Sequence, residues 1–485
     1  MKILLINPPF KAKYGRFSRS SRSPAITKSG TLYYPIWLAY CTGVLENEGF
    51  DVKLIDAPAE EISSKKIFEY ARSFNPDLIV IDTSTPSIYN DVEFAGHLKL
   101  ILPKSFVILV GTHPSALPKE TLQLNKNVDA VAIGEYDFTI KELAFALKEG
   151  KELKNIRGIA YREKDIIIIN ERREYIENLD SIPFVSSVYK KHLNYKNYFE
   201  SMAQYPMIMI LTGRGCPFKC FFCVYPQVFS GNYYRLRSAE NVVAEFEYIL
   251  ENFPDVKEIG IEDDTFSANI KRVREICFLL IKKGLHKKIN WYANTRINLD
   301  FETMKLMKAA GCRLIIPGIE SGVQSLLNNM HKGIRLEQTI KFVENAKKAR
   351  LLVHGCFMIG VPGETRKTIL ETIKFSKQLK LDTAQFYPLI PYPGTEAYFW
   401  ALKNNFLISQ NYSYWLTEEG LHNAIISLPG LQPKDLVSFC NYARKSFYLR
   451  PKYILYKMKQ SLLNFEEMKR NYLSFRIFAK YLFKR

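Results

Sequence analysis

Short apolar runs alternate with segments of helical periodicity over residues 1–150. The runs read KILLI, DVKLID, PDLIVID, FVILVG and VDAVAIG. Apolar strands without polar alternation are typical of a parallel sheet that helices cover on both faces. Because strands and helices alternate, we predict a doubly wound, Rossmann-like α/β domain over residues 1–150.

The predicted strand ends of this domain carry the turns NPPF, DTSTPS, GTHPSA and GEYDFT. In open parallel sheets, ligands bind at the carboxyl ends of the strands. No GxGxxG follows the first strand, so a dinucleotide is not indicated. The domain is therefore predicted to bind another kind of ligand through these turns.

A second alternation of strands and helices begins at residue 206. Between the two alternations, residues 151–205 are interpreted as a hairpin (157–170) followed by a linker. Residues 206–400 contain six strand–helix units, which predict a partial (βα)6 barrel with its chemistry at the carboxyl ends of the strands. Residues 401–485 are predicted to form a basic, helical C-terminal region.

Three cysteines lie in the segment GRGCPFKCFFCVYP, at Cys216, Cys220 and Cys223. Three thiolates on one loop can hold three irons of a 4Fe-4S cube and leave the fourth iron open, whereas electron-transfer clusters use four cysteines. A structural zinc site is the alternative, but it would need a second Cys or His pair. The loop therefore predicts a cluster that binds a molecule at its open iron.

Polar residues follow the later strands of the predicted barrel in register. A ring of carboxylates, an arginine and glycine-rich turns would suit a zwitterionic molecule that carries a ribose, because carboxylates pair with ammonium or hydroxyl groups and arginine pairs with a carboxylate. The residues are Glu262, Asp263, Asp264, Asn294, Arg296, Glu320 and Ser321.

The cysteine loop, with Phe222 before its third cysteine, resembles the signature of the radical S-adenosylmethionine (SAM) enzymes. The resemblance covers residues 1–400 and is to the subfamily with a cobalamin-binding domain. It implies a 4Fe-4S cluster and SAM as cofactors. Asp263 and Asp264 would receive the methionine amino group, and Glu320 would contact ribose. Asn294 and Arg296 belong to the same SAM site, and the backbone at Ile359 and Gly360, in MIGVPGE, would contact adenine.

The first domain resembles the cobalamin-binding domain of that subfamily through GTHPSALPKETL and VDAVAIGEYDFT. Gly111-Thr112 and Tyr136-Asp137 depart from the usual Gly-Gly and Gly-Glu. The D-x-H-x-x-G motif is absent, so His113 is expected to be a loop residue near cobalamin rather than a cobalt ligand. The cobalamin contacts that the resemblance implies are Pro8, Ser84, Thr85, Gly111, His113, Gly134 and Glu135.

The resemblance implies reductive cleavage of SAM to a 5′-deoxyadenosyl radical and methylation of an unactivated carbon. Two alternatives stay open. One is radical-driven cyclisation or oxidation without methyl transfer, of the tetrapyrrole-cyclase kind. The other is a non-catalytic cobalamin and cluster sensor with a tail that binds a membrane or nucleic acid. The expected partners are a small-molecule substrate, with lipids and tetrapyrroles among the candidates, and an external electron donor of the flavodoxin or ferredoxin type. Radical enzymes that attach methylthio groups to transfer RNA share the barrel, but they use three further cysteines in the first domain and only Cys41 is present there, which counts against that activity. A nucleic-acid partner is not expected.

Charge is concentrated at the C-terminus of the chain. The net charge is +19, and residues 444–485 carry twelve Lys/Arg against two Glu, interleaved with Phe and Tyr. Such a segment could lie on an anionic membrane surface, could attract nucleic acid, or could be a helical cap with a solvated basic face. The eight cysteines do not suggest a disulfide framework, and no apolar stretch approaches 18 residues. We expect a cytoplasmic protein that could also attach peripherally to the inner face of the membrane.

Overall fold

The computed structural model of the chain describes residues 1–10, 16–20, 22–27, 29–463 and 465–483, with side chains up to residue 476. Asn464, Lys484 and Arg485, which belong to the predicted basic region, lie outside the described residues.

Seven strands form the first sheet, in the order β4-β1-β5-β6-β7-β8-β9. The first five of these are parallel, while β8 and β9 are antiparallel additions at one edge. Because Leu78–Thr83 is buried along its whole length, the sheet is covered on both faces, as the apolar runs predict. The strands, with a separate two-residue ladder of β2 and β3, are β1 Lys2–Asn7, β2 Phe17–Ser18, β3 Ala25–Ile26, β4 Asp51–Asp56, β5 Leu78–Thr83, β6 Phe106–Gly111, β7 Ala130–Ala132, β8 Ile159–Glu163 and β9 Ile166–Ile169.

The predicted hairpin is β8 and β9, and it pairs with β7, so this sheet extends past the predicted limit at residue 150. The predicted linker contains a helix, Val185–His192, that packs on the first helix of the chain. The α-helices up to residue 205 are Ile36–Asn47, Ala57–Glu60, Ser64–Phe74, Ile88–Ile101, Thr112–Ala116, Pro118–Gln123, Asp137–Glu149 and Val185–His192.

Six parallel strands form the second sheet in chain order, β10-β13-β14-β15-β16-β17. Within the described residues the two end strands do not pair with each other, so the barrel is partial, as predicted. The strands, with a short ladder of β11 and β12, are β10 Met207–Ile210, β11 Gly213–Arg214, β12 Arg235–Leu236, β13 Glu258–Ile261, β14 Asn290–Thr295, β15 Cys312–Glu320, β16 Leu352–Ile359 and β17 Thr383–Pro388. The α-helices here are Ala239–Asn252, Ile270–Lys282, Phe301–Ala309, Gln324–Asn329, Leu336–Lys348, Arg366–Gln378 and Glu396–Lys403.

The open side of the partial barrel is covered by the N-terminal segment of the chain. Leu32 pairs with Phe199 in an isolated bridge. Tyr34 donates a hydrogen bond to the Met207 carbonyl at 2.8 Å, and Tyr40 donates one to the Leu211 carbonyl at 3.2 Å. The first domain therefore supplies part of the barrel wall.

The C-terminal region forms three helices, Pro433–Tyr448, Pro451–Leu463 and Phe465–Phe483. The first packs on the edge strand β17, where the Tyr448 hydroxyl bonds both the amide and the carbonyl of Ala384 at 2.9 and 2.7 Å. The last is anchored to the barrel because Arg313 pairs with Glu467 at 2.9 Å. The basic region is thus anchored to the barrel at these points, while the helix Pro451–Leu463 has no buried residue and most of the described Lys and Arg side chains stay exposed or half-buried. No helix in the described part of the chain is long and apolar enough to span a bilayer.

Candidate active site

The cysteine loop leaves β10 and is held in shape by the protein itself. Gln227 Nε2 donates to the carbonyls of Cys220, Phe221 and Cys223 at 3.0, 3.2 and 3.1 Å. The Cys216 amide donates to the Gly231 carbonyl at 3.2 Å. Three thiols are thereby presented on one fixed turn.

The chemistry of this loop fits an iron–sulfur cluster. All three cysteines are free, and burial raises the pKa of Cys216 to about 11, so a bound metal would be needed to hold it as a thiolate. Among the described residues, no group of three His, Cys, Asp or Glu side chains is arranged to hold a single metal ion. A cube places its irons at separate corners, so its three ligands need not converge on one point.

A cavity of about 300 Å³ opens beside the loop and gathers residues from the barrel and from the N-terminal segment that covers its open side. It brings together most of the barrel residues that the sequence singles out as a SAM site. The predicted residues that line it are Cys216, Cys220, Phe222, Cys223, Glu262, Asp264, Asn294, Arg296 and Glu320.

Asp263 and Asp264 differ in what they can bind. Asp263 is fully buried, does not line the cavity, and accepts hydrogen bonds from Thr212, Gly213 and Tyr234. Asp264 faces the cavity and accepts one from Ser230 at 2.9 Å. The role predicted for the pair can therefore fall only to Asp264, because the carboxylate of Asp263 is used inside the fold.

Arg296 lies against the cysteine loop. Its guanidinium stacks on the Phe218 ring at 3.7 Å, and Nη1 lies 3.6 Å from the Cys220 sulfur. Asn294 donates to Glu262 Oε2 at 3.0 Å, and the same carboxylate pairs with Arg22 at 3.0 Å. Arg296 thus places a positive charge beside the predicted cluster, where it would favour thiolate and carboxylate groups.

Glu320 ends β15 in a left-handed conformation, with φ 65°, which costs about 1–3 kcal/mol for a residue other than glycine. Its carboxylate pairs with Lys332 at 2.8 Å and accepts a hydrogen bond from Tyr387 at 3.2 Å. Gly318 lies beneath this pair, since a Cβ there would come within 2.6 Å of Glu320 Oε1 and 2.7 Å of Lys332 Nζ. Neither Lys332 nor Tyr387 is indicated by the sequence pattern as a partner of Glu320.

Ile359 and Gly360 lie outside the cavity lining. The Gly360 amide donates to Glu364 at 3.2 Å, and Ile359 is buried in the core. Their predicted contact with adenine is through the backbone and stays a prediction.

A second set of polar atoms meets at the carboxyl ends of the first sheet. His113 Nδ1 lies 3.2 Å from Thr85 Oγ1, and Ser84 bonds Ser87 at 2.9 Å. Gly111 has φ 121°, and a Cβ there would lie 2.2 Å from the Thr83 carbonyl, so only glycine fits between these two strand ends. Burial lowers the pKa of His113 to about 3, so its imidazole is neutral.

Four buried side-chain atoms at these strand ends have no hydrogen-bond partner in the described structure. They are Asp82 Oδ2, Thr83 Oγ1, His113 Nε2 and Tyr136 Oη. Because an unpartnered buried polar group is costly, this cluster fits a bound polar molecule such as cobalamin. Gly134 lies next to it, with its amide bonded to Ser115.

Two of the predicted cobalamin contacts, Pro8 and Glu135, also have partners within the protein, and their contact with cobalamin stays a prediction. The Pro8 carbonyl accepts a hydrogen bond from Arg19 at 2.7 Å. Glu135 is buried in an ion cluster with Arg235 at 3.0 Å and Arg214 at 3.4 Å. Glu135 therefore joins the first sheet to the ladder beside the cysteine loop.

The N-terminal segment adds cavity residues that pattern alone does not indicate. Arg22, Tyr33 and Trp37 line the cavity together with Glu200 and His354. Arg22, Tyr33 and Glu200 lie in stretches of weak periodicity. Only the presence of a basic and aromatic cluster after the first strand could have suggested them.

Comparisons with known proteins agree with this arrangement. The family model described as Radical SAM superfamily matches residues 210–376, and the one described as B12 binding domain matches residues 22–144. A Pyrococcus horikoshii protein named uncharacterized methyltransferase PH0819 is 36% identical over 456 residues, which are 94% of each chain. The chain therefore belongs to the cobalamin-binding radical SAM family.

Two further similarities define the range of that family. An anaerobic magnesium-protoporphyrin IX monomethyl ester cyclase of Cereibacter sphaeroides is 27% identical over 368 residues, covering 74% of this chain and 59% of the relative. The structure of the radical SAM methyltransferase TsrM from Kitasatospora setae, with cobalamin and a 4Fe-4S cluster, superposes with a TM-score of 0.70. It is 17% identical and covers 91% of this chain and 90% of its own, which confirms the predicted fold.

Proposed function

We propose that this protein is a cobalamin-dependent radical SAM methyltransferase that acts on an unactivated carbon of a small molecule. The observation that carries the proposal is the single cavity in which the three cysteines meet Asp264, Glu320 and the N-terminal segment of the cobalamin-binding domain. A 4Fe-4S cluster would supply the electron for reductive cleavage of SAM, and cobalamin would supply the methyl group.

The residues of this chain would hold and orient these groups. Cys216, Cys220 and Cys223 would hold the cluster. Asp264 would accept a hydrogen bond from the ammonium group of the methionine part of SAM, and Arg296 would pair with the carboxylate of the same methionine part. Glu320, already oriented by Lys332 and Tyr387, would accept from the ribose hydroxyls.

The first sheet would hold cobalamin at its carboxyl edge. His113 Nε2 and Tyr136 Oη, which have no hydrogen-bond partner in the described part of the chain, are the groups that a polar cofactor would satisfy there. Since burial keeps His113 neutral, it can accept or donate a hydrogen bond to the cofactor without carrying charge.

The proposal is tested by replacing the cysteines. Cys216→Ala should abolish both the iron–sulfur absorbance and the formation of 5′-deoxyadenosine from SAM under strong reductant. The matched control is Cys277→Ala, which removes a buried cysteine of the helix Ile270–Lys282. Continued formation of 5′-deoxyadenosine by the triple cysteine variant after reconstitution would refute the radical SAM assignment.

A cyclase is the second candidate, because a relative with that name covers three-quarters of the chain. Product mass separates the two reactions, since methylation adds one methyl group to the substrate and ring closure does not. A cobalamin and cluster sensor is the third, and it would not turn over SAM.

The finer partner assignments are also proposals. An external one-electron donor of the flavodoxin or ferredoxin type would reduce the cluster. The substrate candidates are lipids and tetrapyrroles, in agreement with the methionine-rich cavity wall of Met202, Met209 and Met358.

The helices Pro451–Leu463 and Phe465–Phe483 pack on each other as a C-terminal helical hairpin. We propose peripheral contact with an anionic membrane for its tip, called the hairpin tip and defined as Leu462, Leu463 and Phe465. Their exposed fractions are 87%, 77% and 62%, which is unusual for adjacent apolar side chains. Lys459 and Lys469 are exposed on either side of the tip. An apolar tip between basic residues is typical of segments that lie on anionic lipid surfaces.

A further inference from the structure

The cavity continues from the cysteine loop down the interior of the barrel. Alternate residues of β16 face it, namely His354, Cys356 and Met358. Alternate residues of a strand are about 6.6 Å apart, so Met358 and His354 lie about 13 Å apart along the strand. Gln385 of β17, paired in register with Cys356, lines the same depth. The cavity is therefore a channel that reaches well below the strand ends.

The polar side chains change in kind along this channel. Near the cysteine loop they are charged and paired, as Glu262 is with Arg22 and Glu320 is with Lys332. At the deep end, Glu200 accepts hydrogen bonds from the Tyr33 and Tyr292 hydroxyls. Burial, together with the charge of Glu262, raises the pKa of Glu200 to about 8, so this carboxyl is mostly protonated at pH 7. The deep end therefore carries little net charge.

Within the described residues, His354 has one ring nitrogen without a hydrogen-bond partner. Nδ1 bonds Thr383 Oγ1 at 2.7 Å, while Nε2 has no hydrogen bond there, although the residue is only 6% exposed and the Gln385 side chain lies beside the ring. Leaving a buried polar group unsatisfied costs about 1–3 kcal/mol. Since His354 lines the channel, a ligand group at the deep end would recover that cost.

The walls between the two ends are apolar. Met209, Ile316, Met358 and Ile390 come from four different strands or strand ends. The C-terminal hairpin packs beside the deep end, because Ser474 donates to the carbonyl of Ser201, between Glu200 and Met202. Apolar walls of this kind favour hydrocarbon and exclude charged groups.

We infer that the deep half of this channel binds the substrate as an elongated, mainly apolar molecule whose buried end is a neutral hydrogen-bonding group, such as a hydroxyl or carbonyl, bound by His354 Nε2. The inference rests on the proposed function, since it places the far end of the substrate below the carbon that reacts near the cysteine loop. An anionic end would lose its hydration without meeting a counter-ion there, and an ammonium end would meet Glu200 mostly in its neutral, protonated form at pH 7.

The test uses three probes with the same chain and different ends: 1-octanol, octanoate and octylamine. Binding to the cluster- and cobalamin-loaded protein is measured anaerobically by saturation-transfer NMR and titration. We expect 1-octanol to bind about tenfold or more tightly than either charged probe, as an unpaired buried charge costs more than the about 1.4 kcal/mol that tenfold represents. Equal binding of all three probes would refute the inference.

Variants locate the site. His354→Phe should weaken 1-octanol binding about tenfold, whereas His354→Gln, which keeps a hydrogen-bonding end, should change it less than about threefold. His97→Phe, on an exposed helix position, is the matched control and should change nothing. Unchanged binding by His354→Phe would overturn the inference. If that variant does not fold, a crystal structure of the wild type with 1-octanol decides, because the hydroxyl must lie within hydrogen-bonding distance of Nε2.

SAM cleavage without substrate is measured on the same samples. The wild type should release 5′-deoxyadenosine whether or not 1-octanol binds. If the three probes bind equally while SAM cleavage is intact, only the inference about the channel is refuted. If SAM is not cleaved, the proposed function is refuted.

Discussion

Arg214 and Asp137 form a buried ion pair, with 2.7 Å between Nη1 and Oδ2. The pair joins β11, the short strand before the cysteine loop, to the first residue of the helix Asp137–Glu149 in the first domain. The side chains are 2% and 1% exposed. Arg214 also stacks on the Trp37 and Tyr40 rings at 4.7 and 4.8 Å. Since Arg214 is two residues before Cys216, the first domain directly positions the cluster loop.

Glu135→Gln should destabilise the protein, because it removes one member of this buried ion cluster and leaves Arg235 without its main counter-ion. Breaking a buried pair in this way costs about 3–5 kcal/mol. The shift is measured by urea unfolding, with Glu152→Gln as control, since Glu152 pairs with Lys154 on the surface and should matter little. Glu135→Gln should keep the visible spectrum of bound cobalamin, and loss of that spectrum in a folded variant would support the predicted cobalamin contact of Glu135.

Asp264→Asn should weaken SAM binding about tenfold or more, because an amide cannot pair with an ammonium as a carboxylate does. Equilibrium dialysis with labelled SAM measures the change. Asp263→Asn, at the neighbouring position, is the matched comparison. It should lower the melting temperature, because the Asp263 carboxylate accepts hydrogen bonds from Thr212, Gly213 and Tyr234 inside the fold. Weaker SAM binding by Asp263→Asn alone would contradict the division of roles between the two residues.

Glu364 predicts a pH dependence of stability. It is 5% exposed, and burial raises its pKa from the ordinary 4.5 to about 7. The folded protein therefore keeps a proton that the unfolded chain releases between these values. The contribution of this retained proton to the free energy of unfolding is complete below about pH 4.5, declines as the pH rises, and is lost above about pH 7. The free energy of unfolding should differ by about 3 kcal/mol between the two limits.

Glu364→Gln should remove this slope, so the variant gains stability relative to the wild type between pH 5 and pH 8. Thermal unfolding at both values measures the difference. Glu337→Gln, at an exposed position, controls for general charge effects. A gain that is the same at both pH values would show that the Glu364 proton is not the cause.

Replacing the hairpin tip should reduce membrane binding without unfolding the protein, because the three side chains are exposed and contact little. Leu462→Ser/Leu463→Ser/Phe465→Ser should reduce sedimentation with vesicles that contain phosphatidylglycerol, and high salt should reduce it further. Phe278→Ser, which is 62% exposed on another helix, is the matched control. Unchanged sedimentation, or a dimer in the wild type that the tip variant dissociates, would refute the membrane contact.

Deleting residues 444–485 would not test membrane binding alone, because the deletion also removes contacts with the barrel. Tyr448 bonds the edge strand at Ala384, and Glu467 pairs with Arg313, which in turn pairs with Glu258 of β13 at 2.6 Å. Removing these residues should expose barrel surface and destabilise the fold. The deletion should therefore lower the melting temperature, whereas the tip variant should not.

The fold and the cysteine loop were predictable because local pattern determines them. Apolar runs define parallel strands, and the carboxyl ends of parallel strands meet at one edge, which brings Cys216, Asp264, Arg296 and Glu320 together. The spacing of the cysteines within eight residues predicts their use without knowledge of the rest of the chain.

The remaining site residues depend on contacts that are distant in sequence. Asp263 and Asp264 look equivalent in EDDTF, and only the positions of Tyr234 and Thr212 decide which of them faces the cavity. Glu135 resembles a cofactor motif, but its partners Arg214 and Arg235 come from the other domain. The deep channel was not predicted, because its closure by Tyr33 and Glu200 is a tertiary feature of segments with weak periodicity.

The N-terminal segment that covers the open side of the barrel has a consequence for how such chains can be recombined. The two regions that the family models match are not separable modules, since Tyr34 and Tyr40 bond β10 and the loop after it, and Arg22 reaches Glu262. A chimera that takes the cobalamin-binding region from a relative would replace one wall of the reaction chamber as well. Substrate preference in such chimeras should therefore follow both parents rather than the barrel alone.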